Sequence, residues 1–279
     1  MGILAFIGLG LYNLRDLSLG ALSFLKEADH VFLESYTSAV PNLSIEELRK
    51  IAGKEIKCIN RKVLESEGGE LLLRLAKKGK VALLTPGNPF VATTHIALRL
   101  EALKRGIKVV DYPAPSVIDA IVTSTGLQVY KFGRTVTLTY PEAKYGYFPQ
   151  TPYYVIKENL SRGLHTLLLL DIRAEEGRYM TASEGARLLL ELEERIGEGL
   201  IDEETLAVAV ARATAPDQQL LAAPLAQIID TDFGPPPHSL VIPGRLHPME
   251  VEALVVLCNA DREVVEGWRQ KLERRLRSI

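Results

Sequence analysis

The chain of 279 residues carries 33 basic and 35 acidic side chains, which leaves a formal net charge of −2 at pH 7. Because proteins that bind nucleic acid through its phosphates usually carry a basic excess, this balance argues against general nucleic-acid binding. Hydrophobic residues make up 47% of the chain and charged residues 24%, which are values of a folded globular protein. A chain of this length predicts about two domains.

The two cysteines, Cys58 and Cys258, lie far apart and form no Cys-x-x-Cys pair. This spacing argues against a disulfide framework and a thiolate zinc site, and it indicates a reducing compartment. The five histidines show no metal-ligand spacing, so we expect no metal. The apolar start of the chain lacks the features of a signal peptide, and no apolar run is long enough for a membrane helix. We therefore expect a soluble cytoplasmic protein that binds neither membrane nor nucleic acid.

In residues 1–112, short apolar runs alternate with helical patterns. Strands are predicted at Ile3–Gly8, Val31–Glu34, Lys80–Leu84 and Ile107–Asp111. Helices are predicted at Asp16–Lys26, Ser44–Ile51, Leu71–Lys78 and Ala92–Arg105. Ser44 followed by Glu47 predicts a capping box at the start of its helix. This regular alternation with short connections predicts a mostly parallel sheet with helices on both faces.

A proline-rich break, Tyr112–Pro115, predicts a junction between domain 1–112 and domain 113–279. Beyond it, strands are predicted at Gly133–Leu138, His165–Asp171, Leu206–Arg212 and Ser239–Ile242. Helices are predicted at Tyr153–Leu160, at Thr181–Glu194 with a capping box from Thr181 and Glu184, at His247–Cys258 and at Arg262–Arg277. Longer connections predict a mixed sheet here, and the whole pattern predicts a two-domain α/β fold.

Three strand-to-loop transitions are candidates for a ligand site: Gly8–Gly10, Leu84–Val91 and Pro113–Ser116. Ligands of open α/β sheets collect at the carboxyl ends of strands, so we expect these loops to converge on a small-molecule site between the domains. The alternative for the first loop is a tight turn, and for the second an ordinary proline-rich turn. A lone histidine such as His95, close to the second loop, is more typical of packing than of ligand binding.

The first loop also resembles the start of a dinucleotide fingerprint, but Asn13 stands where the third glycine would be, which argues against a nicotinamide or flavin site. The sequence contains no Walker loop, no G-x-S-x-G elbow and no H-E-x-x-H motif. Nothing therefore indicates a protein nucleophile. Group transfer between two bound reactants needs none, because alignment alone can lower a barrier by about 7–11 kcal/mol.

A long combined pattern resembles the diphthine synthases, S-adenosylmethionine-dependent methyltransferases of the tetrapyrrole methylase superfamily. The segments that carry it span nearly the whole chain in family order: Phe6–Leu11, Leu84–His95 (LTPGNPFVATTH), Ser124–Arg134 (STGLQVYKFGR), Gly163–Ile172 (GLHTLLLLDI), Ala211–Ala213 and Phe233–His247 (FGPPPHSLVIPGRLH). The resemblance implies the class III methyltransferase fold, a cofactor folded between two α/β domains, and a homodimer.

The resemblance also implies the substrate and the reaction. The substrate would be elongation factor 2 carrying a histidine extended by a 3-amino-3-carboxypropyl group. The enzyme would trimethylate the amino nitrogen of that extension by direct methyl transfer, giving diphthine and S-adenosylhomocysteine. The alternatives are another methyltransferase of the superfamily that acts on a porphyrin-type ring, a nicotinamide oxidoreductase, and a cofactor-binding module without activity.

By position, the resemblance assigns cofactor contacts to eight residues: Leu9, Asn88, Val91, Ser116, Val117, Leu170, Ala211 and His238. Candidate cations for the substrate carboxylate are Arg212, Arg134 and Lys131, each of which could equally be a surface or ion-pair residue. No residue is identified as a general base.

The family usually has Gly-Asp-Pro where this chain has Gly87-Asn88-Pro89. Since a neutral amide makes weaker hydrogen bonds to a cation than a carboxylate does, we expect somewhat weaker cofactor binding.

Overall fold

A computed structural model describes residues 2–34 and 36–277, and it divides the chain into two compact units. The first unit comprises the chain up to Val117 together with Ile172–Arg178, and the second comprises Ile118–Asp171 and the chain from Tyr179 onward. The sequence places the junction at residue 113 and assigns Ile172–Arg178 to the second domain. In the structure this segment belongs to the first unit, where the Arg61 N–H donates to the Glu175 carboxylate at 3.4 Å. Within the described ranges, no helix is both long and apolar enough to cross a membrane.

The first unit is a parallel sheet covered by helices. Its strands are β1 (Ile3–Gly8), β2 (His30–Glu34), β3 (Ile56–Ile59), β4 (Lys80–Thr85) and β5 (Lys108–Tyr112), in the order β3-β2-β4-β1-β5. Its helices are α1 (Leu19–Glu27), α2 (Ile45–Ala52), α3 (Glu70–Ala76) and α4 (Ile96–Lys104). Alternate side chains of β1 pack into two separate hydrophobic cores, with Ile7 on one face of the sheet and Phe6 on the other. Burial on both faces explains why the predicted strands are continuously apolar, and it confirms the parallel sheet.

The sequence predictions differ from the first unit in three elements. The helix predicted from Asp16 begins at Leu19, because Ser18 caps it by accepting the Ala21 N–H at 3.2 Å. The helix predicted from Ala92 begins at Ile96, because Ala92 has a left-handed backbone with φ of 56°. Strand β3 was not predicted, since its two central residues are exposed.

The second unit contains a mixed sheet. Its strands are β6 (Val136–Leu138), β7 (Thr166–Leu170), β10 (Leu206–Ala211), β11 (Gln219–Pro224) and β12 (His238–Ile242), in the order β11-β10-β12-β7-β6, and only β6 and β7 are parallel neighbours. A separate two-stranded ribbon is formed by β8 (Ile172–Arg173) and β9 (Arg178–Tyr179), and all of its residues except Tyr179 belong to the first unit. From the boundary onward, the helices are α5 (Val117–Thr125), α6 (Thr151–Ser161), α7 (Ala182–Ile196), α8 (Leu225–Asp230), α9 (Pro248–Leu257) and α10 (Arg262–Arg277). The mixed sheet is confirmed, whereas β11 and α8 were not predicted.

Helix caps follow the sequence signals in part. At α7 both arms of the predicted capping box are present: the Thr181 hydroxyl accepts the Glu184 N–H at 3.2 Å, and the Glu184 carboxylate accepts the Thr181 N–H at 2.8 Å. At α2, Ser44 accepts the Glu47 N–H at 3.1 Å, but the structure gives no return bond from Glu47. The predicted cap at Ser44 is therefore confirmed as a single hydrogen bond.

Candidate functional site

In the first unit, the loops after β1 and β4 are joined by their backbones. The Leu9 N–H donates to the Thr85 carbonyl at 2.8 Å. Gly10 and Gly87 exchange two hydrogen bonds, of 3.2 and 2.8 Å, and both have positive φ. At Gly8 a side chain would not fit, because a Cβ there would lie 2.5 Å from the Gly87 carbonyl oxygen. The carboxyl ends of two neighbouring parallel strands therefore form one continuous backbone surface.

Asn88 connects the second of these loops to the segment after β5. Its Oδ1 accepts the Phe90 N–H at 3.0 Å, and its Nδ2 donates to the Ala114 carbonyl at 3.4 Å. The Val91 N–H donates to the Asn88 carbonyl at 3.2 Å. An aspartate has no N–H to offer Ala114, so asparagine and aspartate differ here in this contact as well as in charge. Asn88 therefore has a structural role in this loop in addition to its effect on charge.

Five of the predicted cofactor contacts follow the carboxyl ends of strands in the first sheet. Leu9 is fully buried in the hydrophobic core, so only its backbone can reach a ligand. Ser116 is buried, while Asn88, Val91 and Val117 are half-buried. The structure thus places four of them in the loops after β1, β4 and β5, and Val117 at the first position of α5, directly after the third loop.

The other three predicted contacts lie side by side in the second unit. In the sheet register Ala211 pairs with His238, and Ser239 pairs with Leu169. Leu170, His238 and Ala211 therefore end up on the neighbouring strands β7, β12 and β10, and all three are buried. The structure brings them together at one end of the second sheet, where β7 and β10 end and β12 begins.

Both ring nitrogens of His238 bond to the protein. Nδ1 accepts the Ala182 N–H at 3.1 Å, and Nε2 lies 3.1 Å from the Pro235 carbonyl, so Nε2 carries the hydrogen. Burial lowers the pKa of His238, which keeps the ring neutral. A ligand can consequently meet His238 through its ring edge or its backbone, but not through a ring nitrogen.

Arg212, a candidate for the substrate carboxylate, is buried and anchored within the second unit. Each nitrogen of its guanidinium donates to protein: Nε to Asp217 Oδ2 at 2.7 Å, Nη2 to the Asp217 carbonyl at 2.8 Å, and Nη1 to the carbonyls of Phe233 at 2.7 Å and Pro235 at 2.5 Å. The residue also has a left-handed backbone with φ of 51°. This placement favours a role in holding two loops together over the predicted contact with substrate.

Lys131, the second candidate, is bound to a buried carboxylate. Its ammonium donates to Glu250 and to the Arg245 carbonyl. Arg134, the third candidate, is exposed in the loop before β6. The N–H of its neighbour Gly133 donates to the His165 carbonyl, directly before β7 begins, whereas Leu170 is the last residue of β7. Arg134 therefore lies at the opposite end of the second sheet from Leu170, His238 and Ala211.

Glu250 is the centre of a network that the sequence analysis missed. Its side chain is fully buried, and it accepts from Lys131, from His165 Nε2 at 3.0 Å, from the Gln128 N–H at 2.9 Å and from the His247 N–H at 2.7 Å. Burial by itself would raise the pKa of Glu250, but these hydrogen bonds lower it to about 2. The sequence contains one signal for this residue. Glu250 lies in the first turn of a helix that begins at Pro248, and a glutamate at that position is typical of a helix cap.

Comparison with known proteins gives the family. The chain matches the family model of Tetrapyrrole (Corrin/Porphyrin) Methylases over residues 4–229. A diphthine synthase of Methanocaldococcus jannaschii is 48% identical over 258 residues, which are 92% of this chain and 99% of the relative. The chain belongs to the diphthine synthase family. A second member, from Methanococcus aeolicus, is 43% identical over 90% of this chain and 96% of its own length.

Solved structures agree with the family assignment. A crystal structure of diphthine synthase matches this fold with a TM-score of 0.84 at 35% identity, covering 95% of this chain and 99% of that chain. The predicted α/β class and tetrapyrrole methylase fold are confirmed, and this family member is an S-adenosylmethionine-dependent methyltransferase. The assignment excludes the nicotinamide oxidoreductase. The eight cofactor contacts stay predictions. Five of them lie after the carboxyl ends of strands in the first unit, and three lie together at one end of the sheet in the second unit.

The Glu250 network provides a test of stability. We expect Glu250→Gln to lower the free energy of unfolding by about 3–5 kcal/mol, because an amide NH₂ would face buried donors. The carboxyl has a pKa of about 2 in the folded protein and an ordinary value of 4.5, so its stabilisation is present above pH 4.5 and lost as the pH falls toward 2. Urea denaturation followed by circular dichroism at several pH values measures both effects.

A matched control is Glu263→Gln, at an exposed position in the first turn of α10. It should change the urea midpoint little at any pH. Equal midpoints for the two variants would show that Glu250 does not hold the network together.

Proposed function

We propose that this enzyme transfers methyl groups from S-adenosylmethionine to the amino nitrogen of a 3-amino-3-carboxypropyl-histidine in elongation factor 2. Three transfers give the trimethylammonium product diphthine and release S-adenosylhomocysteine. The observation that carries this proposal is the near full-length identity of 43–48% to proteins named diphthine synthase. The enzyme acts in the cytoplasm, in keeping with its free cysteines, Cys58 and Cys258.

The predicted contact residues in the two units suit S-adenosylmethionine. Gly87 leaves open space where a side chain would be, since a Cβ built there meets nothing within 4 Å. A ligand can therefore approach the backbone beside Asn88 closely, and backbone groups suit the polar amino-acid and ribose parts of the cofactor. In the second unit, Leu170 and Ala211 offer apolar contacts to the adenine. The cofactor has no phosphate, which agrees with the incomplete glycine fingerprint of the first loop.

The protein's part in the reaction is binding and alignment. When bound, S-adenosylmethionine supplies an electrophilic methyl group on a sulfonium, which a neutral amine can accept directly. The loop residues Gly87 and Asn88 would fix the position of the cofactor. Alignment of two reactants in this way can supply about 7–11 kcal/mol of barrier reduction. Each transfer needs a neutral amine: the substrate ammonium loses a proton before the first transfer, and the methylated ammonium loses one before the second and again before the third. Water can take all three protons, so the proposal needs no general base.

The open space at Gly87 gives a test of cofactor binding. We expect Gly87→Ala to weaken S-adenosylhomocysteine binding by about 10-fold or more in a calorimetric titration, because the new methyl group occupies the space that the ligand needs. Gly53→Ala is a matched control: Gly53 ends α2, has the same left-handed backbone (φ of 68° against 67°), and also meets nothing within 4 Å. Both variants should lose similar thermal stability, and only Gly87→Ala should lose affinity. Equal affinities would contradict this location of the cofactor.

A methylation assay tests the reaction. The purified enzyme should add three methyl groups to elongation factor 2 that carries the extended histidine, as read by mass spectrometry of the modified peptide. Methylation of a porphyrin-type ring instead of the protein would favour the other branch of the superfamily.

We also propose a homodimer. Ile96, Leu100 and Leu103 form an exposed apolar stripe along α4, at the i, i+4, i+7 spacing of one helix face. Such a stripe is typical of a helix that packs against another protein surface. Light scattering of the purified chain should give twice the monomer mass of 30.8 kDa, and a monomer mass would contradict the proposal.

A further inference from the structure

His95 is buried at the start of α4, and its ring bonds back to the loop before that helix. Its side chain is 1% exposed. Nδ1 lies 3.0 Å from the Pro89 carbonyl oxygen, which can only accept, so Nδ1 carries the hydrogen. The Thr85 hydroxyl is farther from the same nitrogen, at 3.4 Å. The shorter contact with Pro89 therefore decides the tautomer.

The opposite nitrogen of the ring faces a second buried group. Nε2 has no hydrogen-bond partner among the described residues, and Oε1 of the fully buried Glu34 is 3.9 Å away. Burial raises the pKa of Glu34 and lowers the pKa of His95, so both groups favour their uncharged forms. An Nε2 without a hydrogen-bond partner is compatible with the Nδ1–H tautomer that Pro89 requires.

The bond to Pro89 adds to other contacts of this loop, which include the Asn88 hydrogen bonds and the packing of Phe90 against Phe6. Pro89 lies between Asn88 and Val91, the two predicted cofactor contacts after β4. Its carbonyl accepts from His95 and from the Thr93 hydroxyl. Ala92, in the same loop, holds a left-handed backbone with φ of 56°, which an alanine adopts only when its surroundings impose it. Together with Phe90, which packs against the buried Phe6, the His95 ring ties this loop to the interior of the first unit.

We propose that His95 is a positioning residue for methyl transfer, which holds the Asn88–Val91 segment in its cofactor-binding shape through the Nδ1–H bond to Pro89. This inference rests on the proposed function in one respect, namely that the segment binds S-adenosylmethionine. It assigns His95 no contact with the reacting atoms. It predicts an effect on cofactor affinity and on the KM for cofactor, with kcat at saturating cofactor nearly unchanged.

The test uses substitutions that keep different parts of the ring. Asparagine places its amide nitrogen near the position of Nδ1 and can still donate to Pro89, whereas glutamine reaches toward the position of Nε2 and leucine has no donor. We expect His95→Asn to bind S-adenosylhomocysteine within about 3-fold of the unchanged enzyme, and both His95→Gln and His95→Leu to bind about 10-fold more weakly or worse. Calorimetry gives the affinities, and the methylation assay gives the KM and kcat for each variant.

The order of the variants separates positioning from simple packing. A residue that merely fills space is better replaced by the larger glutamine or leucine than by asparagine. The proposal is overturned if His95→Gln or His95→Leu binds as tightly as the unchanged enzyme, or if kcat alone falls.

A second measurement does not depend on any variant or on ligand binding. Nitrogen-15 NMR of the unchanged protein near neutral pH should show a protonated Nδ1 and a bare Nε2 at His95. The opposite tautomer would overturn the proposal even if every variant failed to fold. Failure of the unchanged enzyme to bind S-adenosylhomocysteine would instead count against the proposed function, and the NMR result would still decide whether His95 holds Pro89.

Discussion

The paired backbone contact between Gly10 and Gly87 is the constraint on which the first unit's candidate site depends. Two parallel strands end side by side, and their following loops exchange hydrogen bonds where side chains would otherwise intervene. Only glycine allows this approach at Gly8, because any Cβ there would meet the Gly87 carbonyl. The loops are thereby fixed relative to the sheet, and Asn88 and His95 have only to set the shape of the segment that follows.

In the second unit, buried charged side chains hold the loops in place. Arg212 fastens two loops through its guanidinium, and Glu250 gathers donors from three separate segments. A buried charge with every partner in place orders the backbone around it, whereas the loss of one partner leaves the remainder buried and uncompensated. The loops of the first unit are therefore held by close backbone contact, and those of the second unit by internal ion pairs.

The sequence predicted those parts of the fold that local patterns control. Strands β1 and β4 are buried on both faces, so their apolar runs are unmistakable, and the three loops at the carboxyl ends followed from the parallel arrangement. Strand β3, with two exposed central residues, has no such run. The anchoring of Lys131 was not predictable, because its partner lies 119 positions away and only the folded chain brings the two together. The tautomer of His95 likewise depends on how the loop closes, which the residue order does not reveal.

The return of Ile172–Arg178 to the first unit has a consequence for synthesis on the ribosome. The chain leaves the first unit after Val117, enters it again at Ile172 and leaves it a second time after Arg178. Domains usually fold in the order in which they emerge. Here the first unit cannot be completed until all of Ile118–Asp171, which belongs to the second, has also emerged. A fragment that ends at Val117 lacks part of its own unit, so the two halves of this enzyme are interleaved during folding and cannot mature strictly one after the other.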